Sequence, residues 1–141
     1  PMARLYREAP LNSVWEGAAN MMCMDVRRAM QQEANSRDAL FAELADVRGQ
    51  DSRFDAYVTA LGPLLDEMQH EEFFARPATE GIARALQGAE LLRHSTPEVI
   101  DIFMKTRLGG GTNNWGAMFG TLGPGVTQSQ ADRVVERACL W

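Results

Sequence analysis

Apolar residues recur along most of the chain at spacings of three and four, the period of an α-helix with one buried face. Ala18, Met22, Val26, Ala29 and Met30 form such a stripe between Gly17 and about Glu33. Ser36 has the side chain of an N-cap, Asp38 is in the first turn behind it, and Leu40, Leu44 and Val47 carry a second stripe up to Gly49. A third and wider face is made by Phe54, Tyr57, Val58, Leu61, Leu64, Leu65 and Met68. Gly62-Pro63 interrupts it, which predicts a kink or short break, and Pro77 ends the element. Ile82, Ala85, Leu86, Ala89 and Leu92 mark a fourth helix. Thr96-Pro97-Glu98 places a cap, an N1 proline and a first-turn acid in order, opening a fifth through Ile100, Phe103, Met104 and Arg107. Thr127 and Gln130 form a capping-box pair before Val134, Val135 and Ala138. The first sixteen residues, broken by Pro10 and Asn12-Ser13, read as a loop. No period-two run reaches strand length. The pattern predicts an all-α fold, an antiparallel helical bundle of five to six helices.

Composition agrees and narrows the function classes. The 141 residues are 45% hydrophobic and 23% charged, which is one folded domain's worth rather than a disordered chain. No apolar run approaches membrane-spanning length, and no charged-then-apolar leader pattern opens the chain. Cys23 and Cys139 are too few and too far apart for a disulfide scaffold, so a reducing, cytoplasmic setting is expected. Net charge is −5, and all of it falls in residues 36–141, since residues 1–35 are neutral. That balance opposes polyanion binding, which needs a basic field to release counterions, although a local arginine group such as Arg76, Arg84 and Arg93 is compatible with it.

Four groups carry candidate chemistry. Glu67 and His70 have the Glu-x-x-His spacing of di-iron bundles, but Glu90 and His94 are four apart and no second copy exists; solvated helix positions are the simpler reading, and no metal is expected. The run from Gly109 to Trp115 lacks the Gly-Lys-Ser/Thr of a phosphate loop and reads instead as a segment whose Trp115, Met118 and Phe119 pack on the helices. Core packing is the simpler reading of the methionines on the first helix; Met21 and Met24 point away from the Met22 stripe, which leaves a flavin or subunit contact on that second face as the alternative. Trp15-Glu16-Gly17 has two readings. Glu16 is either a first-turn glutamate favoured by the helix dipole, or a catalytic carboxylate beside an indole.

The stretch from Leu5 to Val26, with Tyr6-Arg-Glu-Ala-Pro-Leu-Asn-Ser-Val-Trp-Glu-Gly-Ala-Ala-Asn20 at its centre, resembles the acyl-CoA dehydrogenase superfamily, and within it the adaptive-response (AidB-like) branch. Arg107-Leu-Gly-Gly and Trp115-Gly-Ala-Met-Phe-Gly-Thr-Leu are also similar to it. The resemblance implies a C-terminal fragment of a longer flavoprotein: residues 1–35 would end the helical bundle and carry the active-site loop and helix, and residues 36–141 would be the branch's extra helical region. It implies FAD as cofactor in the full-length protein, with none tightly held by this piece alone. It implies α,β-dehydrogenation of an acyl-CoA thioester, with Glu16 as the base that takes the α-proton. Gly17 and Trp15 would line the substrate, and Ala18, Ala19 and Asn20 would face the flavin. Many family members have a threonine where this chain has Ala18, so one hydroxyl contact to the cofactor is lost here. Assembly as a homotetramer is a further implication. Double-stranded DNA binding through the later helices is the alternative, opposed by the −5 balance in that region. A pure oligomerisation element is the third reading.

Overall fold

A computed structural model describes residues 2–13, 17–108 and 125–139. Among these residues the chain is all-α, as the pattern predicts, with no strand and seven α-helices, one more than the upper expectation. They are α1 (Met2–Glu8), α2 (Ala19–Gln32), α3 (Ser36–Ala45), α4 (Ser52–His70), α5 (Ala75–His94), α6 (Pro97–Phe103) and α7 (Gln128–Ala138). Short 3-10 turns cover Ala9–Ser13 and Glu72–Phe74, and α6 runs on into a π-helical turn, Met104–Leu108.

The extra helix is α1, in the stretch expected to be a loop. Pro10 stops α1 at Glu8, as a proline restricts the residue before it, but the chain then tightens into a 3-10 turn rather than opening. Nothing from Ala3 to Leu11 is buried, so burial patterning had no signal to offer there.

The core is built on the α4–α5 pair. α4 presents Phe54, Val58, Leu61, Leu65 and Met68, spaced four, three, four and three, all buried. Against them α5 sets a face of small residues: Ala75, Ala78, Gly81, Ala85, Gly88 and Ala89. Large side chains on one helix enter the groove left by small ones on the other, and the two backbones draw close. A Cβ at Gly81 would stand 2.8 Å from Leu61 Cδ1, and one at Gly88 would stand 3.1 Å from Phe54 Cδ2 and 3.2 Å from Leu108 Cδ1. Of the expected stripe on this helix, Ala85 and Ala89 are fully buried. Ile82 and Leu92 are only partly buried and Leu86 is exposed. Leu40, Leu44 and Val47 from α3 and the turn behind it complete the core, with Cys23 of α2 and Met104 and Leu108 of the π turn.

Three boundary expectations change. Pro63 does not break α4, which continues from Ser52 to His70. The proline is exposed, so the carbonyl it leaves without a partner lies on the wet side of the helix. Arg37 of α3 also grips this turn, donating to the Gly62 carbonyl at 3.3 Å and pairing with Asp66. Pro77 does not end an element but sits in the first turn of α5, where its missing N–H would have no helical acceptor. Ser36 is the first residue of α3, not its cap. Asn35 holds the cap position without a side-chain bond, and the Ser36 hydroxyl turns back to Glu33 at 3.3 Å.

The remaining helix ends are set by local caps and turns. Asp51 caps α4, accepting from the Arg53 and Phe54 amides at 2.8 and 3.4 Å. Thr127 and Gln130 form the full capping box of α7, and Pro97 opens α6 at its first position behind Thr96. Gly49 takes φ +85°, the left-handed turn that a glycine past a helix end supplies. No helix among the described residues is long and apolar enough to cross a membrane.

Candidate functional site

Trp15 and Glu16 lie outside the described residues, so the site begins at Gly17. Gly17 has φ +113°, a conformation that a side chain strains to reach. It turns the chain into α2, and a Cβ there would touch Met21 Cβ at 3.4 Å. Ala18 follows in extended conformation as the N-cap residue, its carbonyl accepting from Met21 at 2.8 Å and Met22 at 3.3 Å. It contributes no side-chain bond, so the first amides of α2 remain available to an acceptor. Ala19 and Asn20 begin the helix, and residues 17–20 are all exposed. The Asn20 carboxamide oxygen accepts from Arg76 Nη1 in the first turn of α5.

The rest of α2 is anchored to the α4–α5 pair. Cys23 is buried in the core. Arg27 donates from Nε to the Met68 carbonyl at 2.8 Å and from Nη2 to the Gln69 carbonyl at 3.2 Å, and Gln31 adds a bond to Gln69 at 3.1 Å. These satisfy carbonyls at the C-terminal end of α4, where a cation also meets the negative end of the helix dipole. The buried face of α2 therefore runs through Cys23 and Arg27 to Met30, so the expected stripe holds at Met30 and fails at Met22. Met24 and Met30 pack against the core, whereas Met22 is 43% and Met21 58% exposed. The expected roles of Met22 and Met24 are exchanged. Leu5, Tyr6 and Leu11 add exposed apolar surface upstream of the same helix.

The other candidates resolve into surface chemistry. Glu67 and His70 are exposed on α4. His94 Nε2 lies 3.7 Å from Glu90 Oε2 on the outer surface of α5. Among the described residues no group of three or more His, Cys, Asp or Glu could hold a metal ion. The glycine-rich run, with Trp115, Met118 and Phe119, lies outside the described residues. The three arginines of a possible basic patch have separate partners: Arg76 goes to Asn20, Arg84 to Glu80, and Arg93 to Glu43, Asp46 and Glu90. Carboxylates thus occupy two of the three guanidiniums.

One charged network escaped the sequence reading. Asp101 on α6 accepts from Arg53 at 2.8 Å, Lys105 at 2.6 Å and Gln130 of α7 at 2.9 Å. Lys105 also donates to the Gly125 carbonyl at 2.9 Å. Burial pushes the Asp101 carboxyl up, but the bonds from Lys105, Arg53 and Gln130 outweigh it and hold it at about 2. The Arg53 side chain likewise holds Asp51 below the carboxylate range, against burial. The four-residue spacing of Asp101 and Lys105 was the visible part of this signal; Arg53 and Gln130 come from distant helices.

No family model matches the chain, and no solved structure matches it. Over 107 residues, 76% of its length, the chain is 35% identical to a protein of Escherichia coli (strain K12) named "Putative acyl-CoA dehydrogenase AidB". The matched stretch is 19% of that protein, so the chain spans about a fifth of the relative's length. Over most of its length, then, this all-α chain is AidB-like, similar to one part of a larger protein whose name carries the acyl-CoA dehydrogenase family.

Proposed function

We propose that the chain supplies the C-terminal helical part of an FAD-dependent acyl-CoA dehydrogenase-like flavoprotein, residues 1–35 bearing the active-site loop and helix and residues 36–141 the extra helical region. The 35% identity to the AidB protein carries this reading. Two features of the fold support it. The start of α2 fits the edge of a flavin: Gly17, Ala18 and Ala19 bring no bulk, the helix is uncapped by any side chain, and Asn20 adds one polar group. The outward apolar residues Leu5, Tyr6, Leu11, Met21 and Met22 supply a surface for the rest of the polypeptide or for tetramer partners.

In this reading Glu16 is the base. A carboxylate removes a proton from carbon poorly unless burial raises its affinity for that proton and the thioester carbonyl is itself hydrogen-bonded. Trp15 would exclude water from one side, and Gly17 would let the backbone approach the acyl group. The flavin, when bound, accepts the β-hydrogen as hydride. Ala18, Ala19 and Asn20 would hold it through backbone amides and one carboxamide. The piece alone, without the remainder of the protein, is expected to hold no FAD tightly and to be inactive.

Full-length protein carrying Glu16→Gln tests the assignment. The variant should keep its flavin but lose anaerobic bleaching by acyl-CoA thioesters by at least ~100-fold, the usual scale of a removed general base. Bleaching at the wild-type rate would refute it.

A further inference from the structure

Arg76 and Asn20 are 56 residues apart, yet the guanidinium of the first residue reaches the carboxamide of the second across the α2–α5 contact. The chemistry of the two groups makes this contact directional. A carboxamide can present either its oxygen, an acceptor, or its NH2, a donor pair. A guanidinium donates only, so it can engage the oxygen alone. Nη1 bonding to Oδ1 therefore settles the rotation of the Asn20 side chain and leaves Nδ2 as the end available to anything else.

Arg76 is suited to this by what it lacks. Arg28, Arg37, Arg53, Arg84, Arg93 and Arg133 each pair with at least one carboxylate. Arg76 forms no ion pair among the described residues, and its recorded bond there is the one to Asn20. Its side chain is exposed, so no core packing holds it in place.

We propose that Arg76 is the positioning residue for Asn20, turning its carboxamide so that Nδ2 donates to an acceptor atom of the bound flavin. The inference rests on the reading of residues 18–20 as the flavin-facing turn, and it adds a residue from α5 to a site otherwise confined to the α2 entry. It also specifies the polarity of the contact: Asn20 serves as donor, not acceptor.

The test uses full-length protein with Asn20→Ala, Arg76→Leu, Arg76→Lys and the Asn20→Ala/Arg76→Leu pair, read by the FAD dissociation constant and the visible absorption band of bound flavin. Both residues are exposed, and far-UV ellipticity verifies that each variant folds. Asn20→Ala should weaken FAD binding about tenfold, the scale of one hydrogen bond, and shift the band. Arg76→Leu should reproduce that shift and most of the weakening. Arg76→Lys, which still donates to Oδ1, should restore the band. The double variant should be no worse than Asn20→Ala alone. If Asn20→Ala shifts the band and Arg76→Leu does not, the positioning role is overturned while the flavin-facing turn stands. An added loss in the double variant means that Arg76 acts through its own charge, which also overturns the role. If Asn20→Ala changes nothing, the flavin-facing assignment of Asn20 fails and the proposal fails with it.

Discussion

Asp101→Asn isolates the network that joins α4, α6 and α7. The wild-type carboxylate takes one bond from each of Arg53, Lys105 and Gln130. Its carboxyl falls from an ordinary 3.8 to about 2 on folding, which corresponds to about 2 kcal/mol of stability. Because the folded carboxyl is the stronger acid, the unfolded chain binds more protons across that interval. The stabilisation is therefore complete above about pH 4 and disappears as the pH falls through about 2. Asparagine keeps the shape and removes the charge. Its Arg53 and Lys105 neighbours are partly exposed, so water can take over their donors and no buried cation is stranded. Urea unfolding followed by far-UV ellipticity should show the variant less stable by about 2 kcal/mol at pH 7, with a gap that closes toward pH 2. Equal midpoints at pH 7 would refute the reasoning. So would a gap of constant size down to pH 2, which would mean that the loss comes from shape and not from charge.

Two further substitutions probe the α4–α5 pair. Gly88→Val puts a branched side chain where even a Cβ would meet Phe54 at 3.1 Å, and should cost about 2 kcal/mol in urea unfolding; wild-type stability would show that the helices can separate freely. Pro63→Ala restores an N–H to the middle of α4 at an exposed position and should stabilise the fold by about 1–3 kcal/mol, read as a higher thermal midpoint; an unchanged midpoint would refute it.

How legible each helix was depends on the size of its buried residues. α4 announced itself because Phe54, Val58, Leu61, Leu65 and Met68 are large, and their spacing matches the face they bury. α5 was read in part: Ala85 and Ala89 are buried and Ile82 and Leu92 pack against the core, but Leu86 is exposed, and Ala75, Ala78, Gly81 and Gly88 carry too little hydropathic weight to stand out. α2 failed differently. Its apolar stripe was counted as core, whereas Met22 faces outward beside Met21, which was expected there; periodicity reports that a face is apolar and says nothing about which surface covers it. The capping box at Thr127 and the N1 proline at Pro97 are local chemistry and were visible within four residues. The candidate site at residues 17–20 rests on resemblance alone, and the positive φ at 17 accounts for the glycine there. Arg76 was seen only as one member of a possible basic patch, because its partner is 56 positions away. Trp15 and Glu16 lie outside the described residues.

The crowding over Gly88 also constrains how this sequence can change with time. Phe54, Gly88 and Leu108 share one volume, although they belong to α4, α5 and the π turn after α6. Growth at position 88 is tolerable only alongside shrinkage at 54 or 108, so these three positions are bound to drift together. Among relatives that keep this helix pairing, a larger residue at the site of Gly88 should travel with a smaller one at a partner site, a signature that an alignment can reveal without any structure.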